Sequence, residues 1–440
     1  MKQKHKNPLQ TILFGFLFFI ILGSLALYMP FSYQGHLPYI DALFTSTSAV
    51  CVTGLTVVSM NHFTLIGQLI ILLLIQIGGL GYMASTSFLL LSFKKNFSYT
   101  DKLTLKESLS YPSMHNILDF FKRVILFVFI CEFLGFIILS AVFSHYYGFE
   151  AGIYYGLFHS ISAFNNAGFS LFSNSLIGFK NNVIVNITIM SLIIIGGIGF
   201  VVVDELVLYK RKLIKKLSIH VKLVLLITFV LIFFGALLFF AIEYNNTLAN
   251  EGIFSKILVS LFQSVTTRTA GFNSIDLTHM HNTTIFLCII LMAIGASPGG
   301  TGGGIKTTTA GVVILFLYSY IKGEENTNIF GRRIPDNIIK KSLVIMSLST
   351  ILITVSAFVI SDIENMNFLD ILFEVVSALS TVGLSISNHL SLSSLFTDTS
   401  KIIIIMLMFI GRIGIFSFAV AIFKKHKVRK YKVPEGRVLA

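Results

Sequence analysis

Charge is what this sequence has least of. Asp, Glu, Lys and Arg make up 12% of its 440 residues, against about 25% in soluble globular proteins. Its mean hydropathy is +0.84. Most of such a chain must face lipid or a core embedded in lipid. Cysteine is as scarce. Cys51, Cys131 and Cys288 all lie in apolar runs and offer neither a disulfide framework nor a metal-ligand spacing. Cys131 and Cys288 read as small buried apolar residues. Tryptophan is absent while phenylalanine occurs 43 times, a bias the sequence by itself does not explain. No nucleophile–base set, metal-ligand cluster or cofactor motif is present, so the chain does not read as an enzyme.

The charge that is present is basic, +13 net, which on its own suggests nucleic acid. Its placement argues otherwise. Most of the 33 Lys and Arg fall in five stretches: Lys2, Lys4 and Lys6, then 94–123, 210–222, 322–341 and 424–437. Each stretch flanks an apolar segment, so the positive-inside rule assigns them, and both termini, to the cytoplasm. Lys180, Lys256 and Lys401 sit near the opposite ends of spans, whereas Arg268, Lys306 and Arg412 fall inside apolar or glycine-rich runs. The start, Met1 to Pro30, resembles a signal peptide. Its apolar run is longer than an h-region and no A-x-A-type site follows it, so it reads as a retained span.

Apolar segments near 10–29, 66–92, 122–144, 183–208, 222–242, 283–318, 341–361 and 400–423 are long enough to cross a bilayer, which takes about 20 residues. Between the members of each successive pair lies a shorter segment ending in a glycine, near 40–52, 152–166, 254–268 and 369–381. The pattern long, short, long thus occurs four times, and such self-similarity decides architecture. The repeats span 1–92, 93–210, 211–321 and 322–423, with pore segments at 40–57, 152–170, 254–273 and 369–385, and a basic tail at 424–440.

The short segments share their chemistry. Each has a Phe (Phe44, Phe158, Phe262, Phe373) and, four residues on, a Ser or Thr (Ser48, Ser162, Thr266, Ser377). Each ends in a small run and a glycine: Val52-Thr53-Gly54, Asn166-Ala167-Gly168, Thr269-Ala270-Gly271 and Thr381-Val382-Gly383. These glycines recur at a nearly constant period. The second long segments repeat as well, with Gly78, Gly196, Gly295 and Gly411 each following its filter glycine at a similar distance. The expectation is eight full spans, with four re-entrant segments entering from outside around one axis. Non-helical backbone at membrane depth survives only where it is buried in protein or lines a wet cavity.

A cation leaving water needs its hydration shell replaced by oxygens, and a ring of backbone carbonyls does this without fixed charge. Turning carbonyls inward requires a residue that tolerates positive φ, which is the role of glycine. A helix pointing its C-terminal end at the pore favours a cation. A single such glycine reads equally as a packing or turn residue; four at matched positions read as a filter.

At these motifs the chain resembles the KtrB-type potassium-transporting subunits of the Trk/Ktr/HKT superfamily, over nearly its whole length. The resemblance implies an all-α membrane protein with four membrane–pore–membrane repeats in one chain, forming a pseudo-tetrameric, potassium-channel-like pore. Trk-type relatives usually carry extra N-terminal helices; here the first span leads straight to the first pore segment, which favours the Ktr branch. In the family a serine in place of the first filter glycine goes with sodium preference, so Gly54 implies potassium.

The third repeat departs from the others. Its second long segment contains Gly295, Pro298, Gly299, Gly300, Thr301, Gly302, Gly303, Gly304 and Lys306, a composition that cannot hold a continuous helix. A phosphate-cradling loop needs Gly-Lys adjacent, and Ile305 intervenes. In the resembled family this stretch, 295–309 here, is an intramembrane loop that obstructs the pore below the filter. Arg412 stands where the first two repeats have glycine, at a depth where an arginine costs several kcal/mol or more without partners or water. It reads either as half of a structural ion pair or, as the family arginine does, as a positive charge facing the cavity under the filter. Lys306 reads as a second such charge or as an anchor. Arg268 is expected to pair with Glu374. Glu132 reads as a proton relay or a hydrogen-bonded packing partner, Asp204 and Glu205 as contact or capping groups. Asp41 and Asp370 read as helix N-caps.

The resulting expectation is a potassium uptake subunit of a bacterial plasma membrane, passing K+ down its electrochemical gradient. K+ is the transported ion, held at the filter residues; sodium as an activator stays open, and no covalent or tightly bound cofactor is expected. The resemblance implies a separate KtrA-like, ring-forming nucleotide-binding regulator and a homodimer. The basic tail reads as a dock for that regulator or as a holder of anionic lipid. The alternative is a symporter coupled to Na+ or H+, although transporters often show inverted two-fold repeats rather than four parallel ones. A sensor with a non-conducting pore is a third reading.

Overall fold

The computed structural model describes residues 8–81, 99–109, 117–387 and 390–422. Lys2, Lys4, Lys6, Lys94, Lys95 and the basic tail lie outside them. The first unit comprises α1 (Pro8–Tyr28), α2 (Tyr39–Val50) and α3 (Leu65–Leu80). The second follows with α4 (Tyr99–Ser108), α5 (Ile117–Tyr147), α6 (Phe149–Phe164), α7 (Val183–Gly197) and α8 (Phe200–Lys210). The third has α9 (Ile219–Glu243), α10 (Ile253–Thr266), α11 (Asn282–Ala293) and α12 (Thr307–Ile321). The fourth has α13 (Asp336–Ile363), α14 (Phe368–Ser380), α15 (Asp398–Ile413) and α16 (Ile415–Ile422). The strands β1 (Asn328–Ile329) and β2 (Arg332–Arg333) form a small hairpin before α13. The protein is thus an all-α membrane protein. Side-chain oxygens of Thr64, Asn182 and Ser218 cap α3, α7 and α9 by accepting from the backbone of the first turn.

Among the described residues only α1, α5, α9 and α13 are long and apolar enough to cross a membrane as single helices. The expectation of eight full spans, with a break only in the third unit, therefore needs correction. The second long segment of every unit stops short or breaks. The 16 residues of α3 rise about 24 Å, less than the roughly 30 Å of hydrocarbon. Between α7 and α8 the chain turns by 97°, and between α15 and α16 by 96°. The residue at each break is a glycine with positive φ: +81° at Gly81, +100° at Gly199 and +90° at Gly414. Each lies three residues beyond the glycine that the repeat pattern marks. In the third unit the break is the whole stretch between α11 and α12, whose neck is closed by Gly295 N–H donating to Ile305 O at 2.8 Å.

The short helices α2, α6, α10 and α14 are held by two recurrent contacts. In three units a pore-helix serine donates to a carbonyl of the preceding long helix: Ser46 to Ile20 at 2.7 Å, Ser160 to Glu132 at 2.6 Å and Ser264 to Ile232 at 2.9 Å. Gly23, Gly135 and Gly235 face these hydroxyls, and a Cβ at any of them would collide with the serine. The fourth unit has Val375 at the serine position. The second contact lies at the other end of the pore helix. A Cβ on Gly78, Gly196 or Gly411 would fall on the carbonyl oxygen of Val50, Phe164 or Leu379, which is why these glycines recur.

The phenylalanine bias now has a partial reason. Among the described residues the largest fully buried side chains are all Phe, including Phe44, Phe158, Phe262 and Phe373 of the pore helices. A phenyl ring fills this space without a polar atom, whereas a buried indole N–H would need an acceptor.

Gly196→Ala is expected to destabilise the protein by about 1–3 kcal/mol, the usual cost of overpacking. Thermal melting of the detergent-solubilised protein would show this as a clear fall. Gly178→Ala, with no atom within 4 Å of the added Cβ, should melt like the parent.

Candidate ion pathway

The four strands after the pore helices share one backbone pattern. Val52, Asn166, Thr269 and Thr381 have φ of +56°, +58°, +68° and +52°; two residues on, Gly54, Gly168, Gly271 and Gly383 have +94°, +71°, +77° and +92°. Thr53, Ala167, Ala270 and Val382, between them, do not have positive φ. In an ordinary strand successive carbonyls alternate in direction; alternating the sign of φ turns them to one side. Holding a non-glycine residue in the left-handed region costs about 1–3 kcal/mol. The Ser and Thr singled out by the repeat hold it there. Ser48 and Ser377 Oγ each accept from the filter glycine N–H at 3.0 Å. In the Gly-Phe units Ser162 and Thr266 instead donate to Phe169 O and Phe272 O, at 2.8 and 2.7 Å.

The strands close into a ring. A Cβ on Gly54 would lie within 3 Å of Ala167 O, one on Gly168 of Ala270 O, one on Gly271 of Val382 O and one on Gly383 of Thr53 O. Each glycine thus abuts the carbonyl just before the glycine of the next unit, in the order one, two, three, four and back to one. Outside the ring is a cavity of about 300 Å³ lined by the four glycines, by Ser and Asn side chains, and by Asp276.

Against the other side of the ring, at Thr269 and Thr381, lies the 295–306 loop. A Cβ on Gly302 would collide with Thr269 Oγ1, and one on Gly303 with Thr381 Oγ1, so bare backbone meets the inner rim. Thr301 N donates to Gly196 O at 3.1 Å, Ser297 N to Gly197 O at 3.0 Å, and Phe200 N to Gly299 O at 2.9 Å. The loop therefore satisfies carbonyls freed by the break between α7 and α8. Beyond it a cavity of about 640 Å³ is lined in part by Gly299, Gly300, Gly304, Lys306 and Arg412.

Among the described residues neither Arg412 nor Lys306 forms an ion pair with a carboxylate. The Arg412 guanidinium donates to Thr301 O of the loop, to Gly78 O, and to Gly79 O at 3.1 Å. The last two belong to the final turn of α3, where a helix end leaves carbonyls open to outside donors; Gly78 O also accepts from Gly81 N at 3.1 Å. Lys306 Nζ donates to Gly302 O at 2.7 Å, closing the loop on itself. The ion-pair reading of Arg412 is replaced by one in which it clasps three units through backbone carbonyls.

The expected Arg268–Glu374 pair is not formed. Arg268 is buried and donates to Thr228 Oγ1 at 3.2 Å. Glu374 accepts from Ser385 Oγ at 2.6 Å and from Ser393 N at 3.0 Å. The reason is depth: Arg268 lies beyond the C-terminal end of α10, three residues before Gly271, whereas Glu374 lies in the middle of α14, nine residues before Gly383. Asp41 and Asp370 are not N-caps either. Each lies in the first turn of its helix, after Pro38 and Asn367, and Asp41 pairs with Lys401 at 2.7 Å, both largely buried. Glu132 accepts hydrogen bonds from Gln76 and Asn165, as a packing partner does. Asp204 pairs with Arg123, and Glu205 accepts from Ser218 at the start of α9.

Three residues escaped the sequence reading: Gly81, where α3 ends, and Gly199 and Gly414, the hinges between α7 and α8 and between α15 and α16. Their signal is a glycine three residues after the marked one in units one, two and four.

A family model described as TrkH, cation transport protein, matches residues 3–432. The Ktr system potassium uptake protein B of Bacillus subtilis is 39% identical over 435 residues, covering 98% of this chain and 96% of that protein. The potassium/sodium uptake protein NtpJ of Enterococcus hirae is 36% identical, covering 99% of this chain and 98% of that one. Among solved structures, the potassium transporter TrkH from Vibrio parahaemolyticus matches with a TM-score of 0.76 at 18% identity, over 96% of this chain and 86% of that one; at that identity the likeness shows the fold.

Lys401→Ala is expected to destabilise the protein by about 3–5 kcal/mol by stranding the Asp41 carboxylate. The double variant Asp41→Ala, Lys401→Ala should recover part of the loss, read as melting temperature in detergent.

Proposed function

The chain belongs to the TrkH family of cation transport proteins, which are transporters rather than enzymes, and on that premise we propose that it carries K+ passively into the cell through one central pathway. The observation that carries this reading is the closed ring in which each filter glycine, at positive φ, faces the carbonyl before the next one. Backbone oxygens aimed at one axis suit a dehydrated monovalent cation. In this reading Val52–Gly54, Asn166–Gly168, Thr269–Gly271 and Thr381–Gly383 together form the filter. The 299–304 run with Lys306 is the gate, and Arg412 the clasp that keeps it shut. The names of the relatives, a potassium uptake protein of a Ktr system among them, support K+ as cargo and a second component. We assign that component to a cytoplasmic nucleotide-binding ring docked on the basic loops, and the chain to a homodimer in the bacterial plasma membrane with both termini cytoplasmic. One relative's name joins sodium to potassium, which favours sodium as an activating or co-transported ion as the second reading.

Rubidium entry into proteoliposomes, with and without internal and external sodium, tests the proposal: uptake driven by a potassium diffusion potential alone supports a passive pathway, and a strict need for a sodium gradient supports symport. In the same assay Gly54→Ser is expected to lower discrimination of potassium over sodium about tenfold, a change of about 1.4 kcal/mol; unaltered discrimination would count against the ring. Removing 299–304, or Arg412→Ala, should raise flux. A folded variant whose flux is equal or lower would sink the gate.

A further inference from the structure

Behind the filter, units one, two and three share the bond from pore-helix serine to long-helix carbonyl, and one of the three differs from the other two. Ile20 and Ile232 are the residues whose carbonyls receive the pore-helix serine in units one and three; in unit two the same place is taken by Glu132. Its side chain is buried, 6% of the residue being exposed. An ionisable residue within a membrane segment is expensive and marks function by default, and among the described residues no cation forms an ion pair with this one.

What compensates Glu132 is a closed ring of three side chains drawn from two units. Gln76 of α3 donates through Nε2 to Glu132 Oε2 at 3.2 Å. Asn165, the residue that ends α6, donates through Nδ2 to Glu132 Oε1 at 3.1 Å and to Gln76 Oε1 at 2.9 Å. A carboxylate only accepts, so the orientation of both amides is fixed by it. Asn165 is joined directly to Asn166, the first filter residue of unit two, whose φ of +58° is strained for a side-chain-bearing residue. The carbonyl of the next residue, Ala167, fills the space beside Gly54. The side-chain oxygen of Asn165 in turn presses on Gly79, where a Cβ would overlap it. The position of the Ala167 carbonyl against Gly54 is therefore referred, through one residue, to the Glu132 carboxylate.

We propose that Glu132, with Gln76 and Asn165, is a specificity-determining positioning residue: it fixes the spacing of the filter at the seam between the first and second units, and so its discrimination among monovalent cations. The proposal rests on the reading of the ring as a cation filter. It does not require Glu132 to touch the ion.

The test is competition between rubidium and sodium in proteoliposomes. If the parent protein admits no rubidium, the filter reading falls and this proposal with it. With a conducting parent, Glu132→Ile, the residue type of units one and three, is expected to lower the rubidium-to-sodium preference about tenfold, or about 1.4 kcal/mol. Gln76→Leu, which opens the same ring from the other unit, should do likewise. Glu132→Gln, keeping one acceptor, should fall between. The double variant should be no worse than either single one, because both remove one interaction. A structural role alone would lower uptake of both ions equally and leave the ratio untouched. That result, in variants that elute and melt as folded protein, overturns the proposal, as does a double variant whose losses simply add. Should Glu132→Ile not fold, Gln76→Leu decides by the same ratio.

Discussion

Close approach of backbone to backbone between units is the constraint on which everything else here depends. At the base of three pore helices a carbonyl oxygen occupies the place where a side chain would begin on the second helix, at Gly78, Gly196 and Gly411. In the filter the same relation holds around the ring, from Gly54 to Gly383 and back. Close packing of this kind tolerates no added methyl. It also brings four otherwise ordinary helix–loop–helix units near enough to one axis for their carbonyls to act together. The glycines are thus packing residues first, and the ring follows from the packing.

The same glycines create a second problem. Helices that end or bend in the membrane leave carbonyls without regular helical partners, and lipid offers no donor to replace them. The structure resolves this with the half-buried cations Arg412 and Lys306 and with the interrupted segment of unit three. Arg412 covers the end of α3, Thr301 and Ser297 N–H groups cover Gly196 and Gly197, and Lys306 covers the loop's own Gly302. The hydrogen bonds that seat the 295–306 loop against the ring are the same ones that satisfy the broken helices. Displacing the loop therefore requires that Arg412 and the α7 carbonyls find other partners.

Departures from four-fold likeness concentrate at the seams. Position three before the filter glycine is Cys51, Asn165, Arg268 and Ser380 in turn, and the polar ones among them meet different neighbours: Arg268 meets Thr228, Asn165 meets Glu132 and Gln76. The carboxylates differ too. Glu374 ties its pore helix to the segment after the ring, at Ser385 and Ser393, while Asp41 ties another to Lys401 of the fourth unit. A repeated backbone is held by unrepeated side chains.

The sequence by itself determined the fourfold unit, the glycines at 54, 168, 271 and 383, and the helix break at 295–306. Those are properties of periodicity and of local backbone tolerance, and both are written in residue order. Only the tertiary structure decided the partners of the buried charges. Sequence reasoning seeks an acid for each base and so joined Arg268 to Glu374, whereas the backbone carbonyls that accept from Arg412 and Lys306 belong to every residue alike and carry no letter. Gly81, Gly199 and Gly414 were in plain view in the sequence. Yet a glycine in an apolar run tolerates both signs of φ, and the choice between continuing a helix and leaving it rests on tertiary packing, as at Gly199, where the Pro298 carbonyl lies in the place of a Cβ.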